Sequence, residues 1–123
     1  MAIMRILVVE DEPQVAEYLA EAIRGAGYEA MVALDGTEAL DVLEATQVDG
    51  VFLDLVMPGL SGLAVLAQIR KRHPHLPVVI ISGNAAVEGI AAKADELGAV
   101  AVLAKPTALA EVRGVLSKLR PAD

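Results

Sequence analysis

Short apolar runs alternate with longer amphipathic stretches along this chain. Residues 3–9 (IMRILVV) are almost continuously apolar and β-branched, the pattern of a strand covered on both faces. Pro13 suits the first turn of a helix, and Val15, Leu19, Ala22, Ile23 and Ala26 then recur at helical spacing until Gly25 and Gly27 close it. Residues 28–33 predict a second strand. Asp35-Gly36 marks a turn, with Thr37 expected to cap a helix carrying Ala39, Leu40 and Leu43. Residues 51–53 predict a third strand running into Asp54. Ser61 or Gly62 then opens a helix with Leu63, Leu66 and Ile69 inward, closed by the basic run Arg70-Lys71-Arg72, where cations suit the negative end of the helix dipole. Residues 78–81 (VVII) predict the fourth strand. Val87, Ile90, Ala91, Ala94 and Leu97 predict the fourth helix, closed by Gly98. Residues 100–103 predict the fifth strand, and Leu109, Val112, Leu116 and Leu119 the last helix.

Buried strands alternating with helices imply an α/β fold: a parallel sheet with helices on both faces. There is no linker, low-complexity stretch or second domain, so the expectation is one domain over residues 1–123 with its core at about 4–119.

Composition sharpens this picture. Of 123 residues, 55% are hydrophobic and only Phe52, Tyr18 and Tyr28 are aromatic, so the core rests on many small aliphatic contacts. No apolar run reaches the roughly 20 residues of a membrane helix, and no signal peptide pattern is present. With no cysteine there is neither a disulfide framework nor a thiolate metal site. A soluble, cytoplasmic protein is expected. Ten basic against 17 acidic residues give a net charge of −7, which disfavours direct nucleic-acid binding.

The chemistry lies where the strands end, because ligands of open α/β sheets bind beyond the carboxyl ends of the strands. The first strand delivers Glu10-Asp11-Glu12, the third Asp54, the fourth Ser82 and then Gly83-Asn84, the fifth Lys105-Pro106. A buried, unpaired carboxylate costs several kcal/mol or takes up a proton. Asp54, inside the apolar run FLDLVMPGLSG, therefore either escapes burial at a strand tip or has partners elsewhere. Acids gathered on one edge repel each other and call for a cation, and hard oxygen ligands suit Mg2+. A carboxylate, a divalent ion, a lysine and a hydroxyl on one edge point to phosphoryl transfer onto the carboxylate.

Taken singly, each of these residues has a plainer reading. Glu12 and Pro13 mark a helix start, Ser82 alone reads as an N-cap, and Met57 reads as core beneath the site. His73 and His75 flank Pro74 in a turn at the opposite edge of the sheet and read as solvent-exposed loop.

In combination, the sequence resembles the receiver domain of two-component response regulators over nearly its whole length. The resemblance rests on Glu10-Asp11, on Asp54-Leu55-Val56-Met57-Pro58-Gly59-Leu60-Ser61-Gly62, on Ser82 and on Lys105-Pro106, in order at the ends of the right strands. It implies a flavodoxin-like, doubly wound sheet in the order 2-1-3-4-5. It implies that Asp54 accepts a phosphoryl group from a histidine kinase or histidine phosphotransfer domain. Asp11, Glu10, Asp54 and the backbone carbonyl of Val56 would hold Mg2+, with Mn2+ as an alternative ion and Glu10 acting through water. Ser82 and Lys105 would bind the phosphoryl group, and the bond before Pro106 would be cis. Val56 and Asn84 match positions that tune dephosphorylation. An output protein would bind the face of the fourth helix, fifth strand and fifth helix. The domain would not be an enzyme in the ordinary sense, showing at most self-phosphorylation from small donors and weak autodephosphorylation.

Two departures from the family pattern stand out. Glu10-Asp11 replaces the commoner Asp-Asp. Val102 stands where many receivers carry a Tyr or Phe that rotates inward, so the switch is expected to run through residues 82–97 instead. Val56 cannot hold an attacking water by a hydrogen bond, which implies slow intrinsic phosphate loss. Three other classes compete. A phosphate-independent interaction module would make no use of the intact Asp11, Asp54, Ser82 and Lys105. A Mg2+-dependent aspartyl-phosphate phosphatase wants a second acid where Val56 stands. A flavin-binding domain wants a phosphate loop and flanking aromatics, and both are missing.

Overall fold

The computed structural model describes residues 4–57, 59, 61–83 and 90–119. Pro58, Leu60, Asn84, Val87 and Gly89 lie outside the described residues, as does most of the first half of the span expected to switch. The element order is β1 (Arg5–Val9), α1 (Pro13–Gly25), β2 (Glu29–Ala33), α2 (Gly36–Ala45), β3 (Gly50–Asp54), α3 (Gly62–Arg72), β4 (Val78–Ser82), α4 (Ile90–Glu96), β5 (Ala101–Ala104) and α5 (Leu109–Leu119). All strand pairs are parallel, in the order β2-β1-β3-β4-β5.

Alternation along each strand divides the core. Leu7, Val9, Val51, Leu53 and Ile80 face α2 and α3, packing on Ala39, Leu43, Val65, Leu66 and Ile69. Ile6, Val8, Phe52, Val79 and Ile81 face α1 and α5, packing on Leu19, Ile23, Val112 and Leu116. β3 and β4 are buried along their whole length, which explains their unbroken apolar runs.

The helix starts follow local capping chemistry. Pro13 takes the first position of α1, and the Ser61 hydroxyl caps α3 by accepting from Ala64 N. At α2 the expectation is corrected. The cap is Asp35, whose Oδ1 accepts from Glu38 N at 2.7 Å, and Thr37 lies inside the first turn. An ionised carboxylate at the cap satisfies a free N–H and complements the dipole, which a hydroxyl does only by the first route.

His73 also departs from its expected place. It is the half-buried C-cap of α3, and its Nε2 is enclosed with no hydrogen-bond partner among the described residues; His75 is exposed as expected. Beside it, the Arg70 guanidinium draws several backbone carbonyls together. Nε donates to Leu97 O at 2.7 Å, Nη1 to Pro74 O at 2.9 Å and His73 O at 3.2 Å, and Nη2 to Leu76 O. Gly98, at φ +77°, lies against this side chain at the exit of α4. Arg70 thus does more than complement a dipole: it ties the end of α4 to the α3–β4 connection.

Candidate functional site

The order β2-β1-β3 reverses the winding direction between β1 and β3, so their carboxyl ends border the crevice where such sheets bind ligands. Register places the acids there. Val9 pairs with Leu53, so Glu10 and Asp54 emerge side by side; Asp54 pairs with Ile81, so Ser82 stands one step beyond it. Glu10, Asp11 and Asp54 bring carboxylate oxygens within 4.8 Å of one another.

Asp54 does not escape burial. It is 1% exposed and has partners instead. Its Oδ1 accepts from Val56 N at 3.0 Å, and its Oδ2 lies 3.0 Å from Lys105 Nζ. Glu10, also 1% exposed, places Oε2 2.9 Å from the same ammonium, while Oε1 accepts from Glu12 N at 3.2 Å. The lysine therefore bridges two buried carboxylates, and Glu10 reaches it directly. Asp11 is half-buried at the mouth.

Electrostatics follow from this crowding. Burial, opposed by the Lys105 contact and reinforced by the nearby Asp54 charge, pushes the Glu10 carboxyl from 4.5 up to about 7. Burial alone would lower the Lys105 ammonium, but Glu10 and Asp54 outweigh it and hold the group above its ordinary value.

Lys105 is held by its backbone as well. Lys105 N donates to Ser82 O at 3.1 Å. The Lys105–Pro106 peptide is cis. Two residues beyond Lys105, the Thr107 hydroxyl donates to Ala104 O at 3.3 Å, and the Thr107 carbonyl accepts from the Tyr18 hydroxyl of α1 at 3.1 Å. Neither Thr107 nor Tyr18 was readable as part of the site, because Tyr18 finds its partner 89 residues away. Ser82 is fully buried at the end of β4. Met57 is buried in the α2/α3 side of the core. Val56 exposes its side chain, and Val102 packs partly against the α2/α3 side.

Gly62 explains the close approach of α3 to this edge. A Cβ there would stand 2.6 Å from Asp54 O and nearer still to Leu55 Cα, both backbone atoms. Only glycine lets α3 start directly beneath the strand end that carries Asp54.

Three carboxylates and one ammonium leave a formal charge of −2 when all are ionised, concentrated on hard oxygen atoms. Glu10 Oε2 is buried, and beyond the Lys105 ammonium at 2.9 Å it meets no further donor among the described residues. This donor set fits Mg2+.

Comparison with known proteins agrees with this geometry. A family model described as the response regulator receiver domain matches residues 6–117. The response regulator MprA of Mycobacterium avium is 38% identical over 98% of this chain, and the match covers 54% of that protein; the chain thus spans about half the length of the curated relatives it matches. The response regulator TrrA of Thermotoga maritima, solved in complex with Mg2+ and BeF, superposes with a TM-score of 0.87 at 32% identity over 96% of this chain and 100% of that one. The chemotaxis protein CheY4 of Vibrio cholerae superposes with a TM-score of 0.90 over 97% of this chain and 100% of that one; at 22% identity this is a likeness of fold.

Proposed function

The chain belongs to the response regulator receiver domain family, and from that premise we propose that Asp54 is the phosphoacceptor of a two-component signalling domain. The observation that supports this most directly is a carboxylate buried at the switch point of the sheet, ion-paired to Lys105 and bordered by Glu10 and Asp11.

In this reading an Asp54 oxygen attacks the phosphorus of a phosphohistidine on a kinase or phosphotransfer partner. The P–O bond forms as the P–N bond breaks, and the electron pair returns to the imidazole. Glu10, Asp11, Asp54 and the Val56 carbonyl would hold Mg2+, or Mn2+, which when bound offsets negative charge on the acids and the incoming phosphoryl oxygens. Val56 N–H fixes the orientation of the Asp54 carboxylate. Lys105 leaves its double ion pair to meet the phosphoryl oxygens, and the Ser82 hydroxyl bonds one of them. The likeness to TrrA, whose solved complex contains Mg2+ and BeF, supports both the ion and the phosphoryl site.

The domain is a single unit over residues 1–123 with its core at 4–119, working in the cytoplasm. No described helix is long and apolar enough to cross a membrane. Its output face is α4, β5 and α5. Val102 has no ring to rotate, so the change passes through the segment after Ser82, which includes Asn84, and into α4. The exposed apolar Val56 side chain offers no hydrogen bond to a water attacking the phosphoryl group, so the phosphorylated state is long-lived. Turnover is confined to self-phosphorylation from small donors and slow hydrolysis of the aspartyl phosphate.

Intact mass after incubation with acetyl phosphate and Mg2+ tests the assignment. A gain of about one phosphoryl mass, roughly 80 Da, that requires both Mg2+ and Asp54 is the expected result. A gain that persists in Asp54→Ala overturns it.

A further inference from the structure

We propose that Tyr18 is a positioning residue for phosphoryl binding, acting through the loop that carries Lys105. The inference rests on the receiver reading above. The Lys105 side chain reaches Glu10 and Asp54 from a short loop between β5 and α5. Where its ammonium sits depends on how that loop is held, since a long flexible stem defines no position by itself.

Upstream, the loop is fixed to the sheet. Lys105 N–H donates to Ser82 O, and Ala104 pairs with Ser82 in the ladder. Downstream, the described tie to a neighbouring element is the Tyr18 hydroxyl, donating to Thr107 O across from α1. The Thr107 hydroxyl returns to Ala104 O, at the end of the strand that leads into the loop. Tyr18, Val15 and Leu19 of α1 and Lys105, Pro106 and Thr107 of the loop line a mainly apolar groove of about 520 Å³. The phenol thus holds, from a second element, the segment whose lysine must move from two carboxylates to a phosphoryl group.

Removing the hydroxyl while keeping the ring isolates this role. Tyr18→Phe is compared with the wild type in two calorimetric titrations: Mg2+ alone, then beryllofluoride at saturating Mg2+. The expected result is a beryllofluoride affinity weakened about three- to ten-fold, the range of one lost hydrogen bond, with Mg2+ bound at least as tightly as by the wild type. General loosening of the site would weaken both. Tyr28→Phe, whose hydroxyl reaches Leu116 O away from the site, serves as the matched control and leaves both affinities unchanged. The inference fails if Tyr18→Phe binds beryllofluoride like the wild type, if its Mg2+ affinity falls in parallel, or if Tyr28→Phe has the same effect. If the wild type itself binds no beryllofluoride in Mg2+, the receiver reading falls and this inference with it.

Discussion

Glu10 Oε2 lies 2.9 Å from Lys105 Nζ, as close as the Asp54 oxygen that meets the same ammonium at 3.0 Å. One cation thus serves two buried anions, and the consequences for pH, metal and phosphoryl affinity differ for each partner.

The Glu10 carboxyl has its pKa raised from 4.5 to about 7, chiefly by burial. The native state then holds a proton that the unfolded state releases, so stability is lost as pH rises from about 4.5 through 7. In metal-free buffer, the stability of the wild type relative to Glu10→Gln should fall by on the order of 2–3 kcal/mol across that window. Urea unfolding at pH 4.5, 6 and 8 checks this; a difference that is flat with pH contradicts it.

Removing the lysine should separate metal binding from phosphoryl binding. Lys105→Ala leaves the buried Glu10 and Asp54 carboxylates without their ammonium, at a cost of about 3–5 kcal/mol. The freed carboxylates should bind Mg2+ more tightly than in the wild type, while phosphorylation by acetyl phosphate slows at least ten-fold. Calorimetric Mg2+ titration and the mass assay read the two effects independently. Weaker Mg2+ binding would mean that the ammonium does not compete for the acids.

Gly62→Ala should damage the site from below. The added methyl meets the backbone of Asp54 and Leu55, which cannot swing aside as a side chain would. Overpacking of this kind costs about 1–3 kcal/mol, and the displaced strand end should weaken Mg2+ binding as well. Thermal melts and Mg2+ titration check both. Gly25→Ala, with open space around its Cβ position, is the control.

Arg70 makes a prediction away from the acids. Its guanidinium serves carbonyls of the α3–β4 connection and Leu97 at once, and burial lowers its pKa. A lysine has no fork to span them, so Arg70→Lys should destabilise by about 1–3 kcal/mol, nearly as much as Arg70→Ala. Amide exchange should rise first at Gly98 and neighbouring amides. Full rescue by lysine would reduce the role of Arg70 to charge.

The sequence alone determined the element types, the parallel α/β class and the strand-end residues. Those are local properties: strand and helix periodicities differ, and Pro13, Ser61 and Gly98 punctuate them within a few residues. The motif residues likewise read as one edge because each follows its own strand. Tertiary structure decided what no local pattern contains. It chose Asp35 over Thr37 as cap by setting where the first turn of α2 begins. It half-buried His73 by folding the α3–β4 turn onto the body of the domain. It answered the question of Asp54 with burial and a partner 51 residues away, and gave that partner to Glu10 as well. It joined Tyr18 to Thr107 and Arg70 to Leu97. Hydrogen bonds and ion pairs over such separations depend on where α1, β5 and α4 pack, and packing is fixed only once the sheet has assembled.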